Sequence, residues 1–168
     1  MQAAFWDAMA QGDGSVFGGD DWPTNVLIHP NRTSHRVWDF VIDASAWPNP
    51  FVAPALRGHG GSDWPESGYR LEDHRDDLIS FLEATQDRPV ILVGQATGAT
   101  LALMISCSRP NMVKAVVAAQ PAVAIASSVN TLVQNQVAAQ ASFSSRDEAR
   151  DALPFADYWT EPIIEHYL

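Results

Sequence analysis

The feature that most constrains this chain is the run Pro89-Val90-Ile91-Leu92-Val93-Gly94-Gln95-Ala96-Thr97-Gly98-Ala99-Thr100-Leu101-Ala102-Leu103. An unbroken segment of apolar strand formers, too short to cross a membrane, meets a tight turn with a glycine at each end. It passes at once into an Ala/Leu-rich stretch that reads as a helix. A continuous apolar strand marks a central strand of a parallel sheet, covered on both faces. The flanking glycines let strand and helix approach closely, so the residue between them, Ala96, is held on a sharp bend.

With 168 residues the chain is long enough for a single domain with a real core. A net charge of −10 argues against nucleic acid or an anionic membrane as partner. No run reaches the length of a membrane span. The start Met1-Gln2-Ala3-Ala4 lacks the basic and apolar regions of an export signal, so a cytoplasmic location is expected. The lone cysteine, Cys107, excludes an internal disulfide and reads as a small buried hydrophobe in the helix after the turn.

Taken in order, Phe5 to Met9 reads as a short helix, and Gly12-Asp13-Gly14 and Gly18-Gly19-Asp20-Asp21 as turns. Asn25 to His29 is a buried strand. The segment Pro30 to Asp39 is a loop passing into a helix that ends near Ala44. Phe51 to Pro54 is a strand followed by the loop Arg57-Gly58-His59-Gly60-Gly61-Ser62-Asp63. Leu71, Leu78, Phe81 and Leu82 fall at helical spacing among charges, which predicts an amphipathic helix to Thr85. The helix after the turn runs to Ser108, and Val113 to Ala119 is the next strand. Strand and helix in alternation predict an α/β fold, a parallel sheet flanked by helices. From Val123 the chain turns helical, with a capping box at Ser145-Arg146-Asp147-Glu148, a stop at Pro154 and a new helix start at Thr160-Glu161-Pro162. Two domains follow from this change of character, a core at 1–122 and a helical segment at 123–168.

Gly94-Gln95-Ala96-Thr97-Gly98 resembles the nucleophile elbow of the α/β-hydrolase fold, Gly-x-nucleophile-x-Gly between strand and helix. Ala53-Pro54-Ala55-Leu56-Arg57-Gly58-His59-Gly60-Gly61-Ser62-Asp63 closely resembles that family's APDLRGHGRSD loop. The strand-end segment at His29 agrees with a third motif in order and spacing. The likeness covers residues 25 to 120, with 123–168 similar to the family's cap or lid. It implies an opening antiparallel hairpin, of which the sequence shows at most a remnant, and a final third of the fold beyond residue 168.

The resemblance also assigns a site. Ala96 stands where the family carries Ser, Asp or Cys, and a methyl group cannot attack a carbonyl or a carbon–halogen bond. The amide of Thr97 and that of Asn31 match the family's oxyanion donors, although Pro30 replaces the usual glycine. Asn31 reads equally as a turn residue ahead of a helix. Gln95, Asn31 and Trp38 are the expected substrate contacts. His29 to Ser34, followed by Trp38, looks like a segment of the haloalkane dehalogenases. Ser34 to Trp38 is similar to one in cofactor-free dioxygenases. After the strand ending near Ala119 stand Gln120, Pro121 and Ala122, none of which can orient an imidazole. Of the histidines, His29 and His59 match structural positions, His74 is expected on a solvated helix face, and His35 and His166 build no triad.

No cofactor or metal is implied. The run Glu72-Asp73-His74-Arg75-Asp76-Asp77 reads as an exposed charged face. The glycine turn lacks the lysine of a phosphate-binding loop. The tryptophans, Trp6, Trp22, Trp38 and Trp159 among them, are expected in core and lid packing.

Two functions stand, with a haloalkane dehalogenase-like or cofactor-free dioxygenase-like relative as a further alternative. One is a hydrolase-derived protein for small apolar or ester-like molecules, inactive as written at residue 96. The other is a non-catalytic homologue that binds a small ligand or a partner chain. The outer sheet edge predicts a homodimer or a complementary chain.

Overall fold

The apolar runs become a five-stranded sheet. The structure is a computed structural model that describes residues 8–11, 22–45, 49–122 and 144–151. The strands are β1 (Ala8–Gln11), β2 (Asn25–Ile28), β3 (Phe51–Pro54), β4 (Val90–Gln95) and β5 (Val113–Ala119), in the order β1-β3-β2-β4-β5. β1 pairs antiparallel with β3, and the other four run parallel. The helices are α1 (Asp39–Ala44, after a 3-10 turn at His35–Trp38), α2 (Leu71–Thr85), α3 (Thr97–Ser108) and α4 (Arg146–Asp151).

Strand alternation divides the core. Val26, Ile28, Val52, Val90 and Leu92 pack with Leu78, Ile79, Phe81 and Leu82 of α2 and with Leu101, Ala102 and Ile105 of α3. The opposite pleats send Leu27, Phe51 and Ala53 against Trp38 and Ile42 around α1. Burying this much branched side chain away from water is the dominant stabilising term. β5 is the outermost described strand beyond β4, and Val117 on it is 48% exposed.

The chain divides into two compact units, Met1–Ala122 and Val123–Leu168. In the second, α4 begins with a capping arrangement close to that expected. Ser145 Oγ accepts the Glu148 N–H at 3.2 Å, while the Glu148 carboxylate reaches back to the N–H of Ser144 at 2.8 Å. The helices expected at 123–141 and from Thr160, the stop at Pro154, and the glycine turns of residues 12–21 lie outside the described residues.

Several local expectations are corrected. Ala8 to Gln11 forms a strand that takes in Ala8 and Met9 of the short helix expected over Phe5 to Met9, because pairing with β3 outweighs the propensity of a short Ala/Met segment, and Phe5 to Asp7 lie outside the described residues. His74 is buried rather than solvated: it lies in α2 on the side of Leu78 and Ile79, and Tyr69 meets it edge to face with ring centroids 6.2 Å apart. Burial lowers its pKa below the ordinary histidine value. Cys107 is exposed, in the last turn of α3 two residues beyond the buried Ile105. Trp22 and Trp64 are exposed, at 49% and 71%, whereas Trp38 is core.

Candidate functional site

β4 ends at Gln95 and α3 begins at Thr97, so Ala96 alone makes the turn. It does so with φ 49° and ψ −113°, a conformation that favours glycine. Neither neighbouring glycine is replaceable, and the reason is steric. A Cβ on Gly94 would overlap the backbone of Gly98 and Ala99. One on Gly98 would overlap the carbonyl of Ile28 and come within 2.9 Å of that of His29. The turn is thus squeezed between its own helix and the end of β2, and the strain falls on residue 96.

Backbone bonds lock that residue. Its N–H donates to Ala119 O at 2.9 Å, extending the pairing of β4 with β5. Its carbonyl accepts the Thr100 N–H at 3.1 Å and the Thr100 hydroxyl at 3.3 Å. The Thr97 amide is the first of α3 and belongs to the N–H groups a helix leaves without an internal acceptor. Gln95, Ala96 and Thr97 are all partly accessible. A helix start beside an open turn is a place where partial positive charge meets a ligand.

The loop after β2 stands beside this turn, since Ile28 is in register with Gly94. His29 anchors it. Its Nδ1–H donates to Pro30 O at 2.8 Å and its Nε2 accepts the Leu56 N–H at 3.0 Å, which defines the neutral tautomer. Complete burial lowers its pKa from 6.5 to about 4, against the opposing bond to Pro30. His29 is therefore a structural pin between two loops.

Asn31 is exposed, and its side-chain oxygen accepts the Arg32 N–H at 3.0 Å. The same N–H lies 3.3 Å from His59 Nε2, which is itself 3.1 Å from Asn31 Oδ1. With the Asn31 side chain occupied by the turn, its backbone amide is what it can offer a ligand. Trp38 lies in the cluster around α1, and its indole N–H has no acceptor among the described residues.

The loop after β3 completes the edge. Ser62 Oγ–H donates to Ala55 O at 2.7 Å, and the His59 Nδ1–H donates to Arg57 O at 2.9 Å. Arg57 holds the carboxylate of Asp77 with two guanidinium nitrogens at 2.5 Å and donates to Gly68 O at 2.7 Å, tying the loop to α2.

Two residues escaped the sequence reading as features of the site. Arg32 (φ 65°), Ala96 (φ 49°) and Gln120 (φ 52°) are the non-glycine residues with positive φ among those described, and each follows a parallel strand. Nothing in residue type announces this for Arg32 or Gln120. Strain gathered at the carboxyl ends of parallel strands coincides with where such sheets bind ligands. Two open cavities of about 140 and 260 Å³ lie at the opposite ends of the strands. They share Gln86, Asp87 and Arg88 and include no residue of the turn. Among the described residues, no group of His, Cys, Asp and Glu side chains is placed to hold a metal. No described helix is long and apolar enough to cross a membrane.

A parallel sheet with a strained strand-turn-helix bend between two obligatory glycines defines the class of proteins built on the hydrolase elbow. The profile of the alpha/beta hydrolase family matches residues 26–166, and the chain belongs to that family. It is 38% identical over 98 residues to a haloalkane dehalogenase of Mesorhizobium japonicum, covering 58% of this chain and 32% of that protein. It is 32% identical over 134 residues to the lipase LipV of Mycobacterium tuberculosis, covering 79% of this chain and 50% of that one. The crystal structure of E-2-(acetamidomethylene)succinate hydrolase superposes with a TM-score of 0.80 at 21% identity, over 98% of this chain and 59% of its own. The chain thus spans a third to a half of the length of these sequence relatives.

Proposed function

We propose that this α/β-hydrolase-family chain takes a small ester-like or apolar molecule at the carboxyl edge of its sheet, with Ala96 in the place of the nucleophile. The observation that carries this reading is the strained Ala96, held between Gly94 and Gly98 beside the first amide of α3, which the helix leaves without an internal acceptor. The amides of Thr97 and Asn31 would face the ligand's carbonyl oxygen, where preorganised donors stabilise developing negative charge. Gln95, Asn31 and Trp38 are assigned to ligand contact, Trp38 through its one polar atom without a partner. Family relatives named as a lipase and a dehalogenase support chemistry on small molecules. As written, residue 96 forms no covalent intermediate, because alanine has no nucleophilic atom. The segment 123–168 is assigned to a lid, and a second copy or complementary chain to the outer edge at β5.

The test places a nucleophile that needs little help from a base. In a Cys107→Ser background, Ala96→Cys puts a thiol at a helix start, where its pKa is lowered. With p-nitrophenyl acetate, acylation of residue 96, read by mass spectrometry, is expected at least about tenfold faster than acylation of Cys107 in the parent chain. Equal or slower acylation at residue 96 would overturn the reading.

A further inference from the structure

The chain carries 20 Asp and Glu against 10 Lys and Arg, yet few of these carboxylates fall in the described loops at the carboxyl edge. The stretches 29–36, 55–62, 95–97 and 120–122 are free of Asp and Glu, the first two hold Arg32, Arg36 and Arg57, and Asp63 closes the loop after β3. Most of this positive charge is already spent. Arg57 is paired with Asp77, and Arg36 stands 3.6 Å from Asp39. Arg70 and Arg75 bind Glu72 and Asp76, and Arg109 donates to Ser108 O. Arg32 differs, because its guanidinium has no ion pair or hydrogen bond to any described residue.

The backbone of Arg32 adds a second observation. It sits at φ 65°, where glycine or asparagine would be accommodated with less strain. Its N–H is pinned by Asn31 Oδ1 and His59 Nε2, so the turn is fixed whatever the side chain is. A long cation is therefore not explained by the turn. It lies one residue beyond Asn31 on the loop whose base packs against Gly98. The stretch 29–36, with two arginines and no carboxylate, is a local excess of positive charge on a strongly negative protein.

We propose that Arg32 recognises an anionic group on the ligand, so that the site selects small esters bearing a carboxylate over neutral ones. The inference rests on the reading of the turn at Ala96 as the ligand site. Arg32 acts as a selecting residue, through a planar donor fork matched to a carboxylate.

The test is a pair of probes, monomethyl succinate and its neutral counterpart dimethyl succinate, titrated into the labelled chain by NMR. The backbone amide of Thr97 and the side-chain Nε–H of Arg32 are followed. The expected result is that the monoester binds about five- to tenfold more tightly, shifts both signals, and loses this preference as salt is raised. Arg32→Gln should abolish the preference and Arg32→Lys should keep part of it. Equal binding of the two esters, or a preference unchanged in Arg32→Gln, overturns the inference while leaving the Thr97 response, and with it the ligand site, intact. A monoester that shifts Arg32 but not Thr97 supports anion recognition and overturns the ligand site at residue 96. Shifts at neither position overturn both.

Discussion

The tight turn at Ala96 and the two loops after β2 and β3 stand on the same edge of the sheet, and different forces hold them. The turn at Ala96 is fixed by backbone against backbone, with glycines where any side chain would collide. The loops after β2 and β3 are fixed by side chains: His29 on Leu56, Ser62 on Ala55, Arg57 on Asp77. The first keeps its shape regardless of what residue 96 can do chemically. The second depends on the identity of each polar group. A site can therefore lose its nucleophile and keep the architecture that presented it.

The comparison is broken most severely at Gly98. Gly98→Ala drives a methyl group into the carbonyl of Ile28 and crowds that of His29, and neither can withdraw without dislodging β2. The expected loss is at least about 4 kcal/mol, enough to remove most of a small domain's stability. Denaturant unfolding followed by circular dichroism measures it. A change below 1 kcal/mol, on the order of an ordinary surface substitution, would mean that the close approach is not needed.

The polar loops are tested through His29. His29→Leu leaves the buried Leu56 N–H without its acceptor, and the Pro30 carbonyl with the Thr33 hydroxyl alone, and should cost about 2–3 kcal/mol at pH 7. The loss is pH-dependent. The unfolded imidazole binds its proton near pH 6.5, whereas in the fold it does so only near pH 4. Between these values the unfolded state holds more protons, so stability contributed by neutral His29 is full above 6.5 and disappears as the pH falls to 4. The span corresponds to roughly 3 kcal/mol. The gap between the parent and His29→Leu should narrow by that order as the pH is lowered, in chemical unfolding at a series of pH values. A gap independent of pH would assign His29 to packing alone.

This division also explains what could be read before the structure. The sheet, its order of elements and the turn at Gly94–Gly98 were legible because apolar runs and glycines report directly on packing and close approach. β1 was misread because four residues without strand character take their conformation from β3. His74 was misread because a histidine among charges, at a helical position facing the core, gives no sign of which side it takes. Arg32 and Gln120 were silent, since a positive φ at a residue other than glycine is imposed by tertiary contacts. The segment 123–168 is legible only as helical composition.

The smallest effect bears most directly on the claim that the turn stores strain on a residue with no nucleophile. Ala96→Gly removes the methyl group that φ 49° and ψ −113° disfavour. Relief of the strain should exceed the added entropy of the unfolded chain, leaving the variant about 1 kcal/mol more stable. The measurement is the unfolding free energy of the two chains by denaturant titration under one set of conditions. A gain of that size is the expected result; a loss of stability in Ala96→Gly would contradict it, and would mean that the bend at residue 96 is not strained by its methyl group.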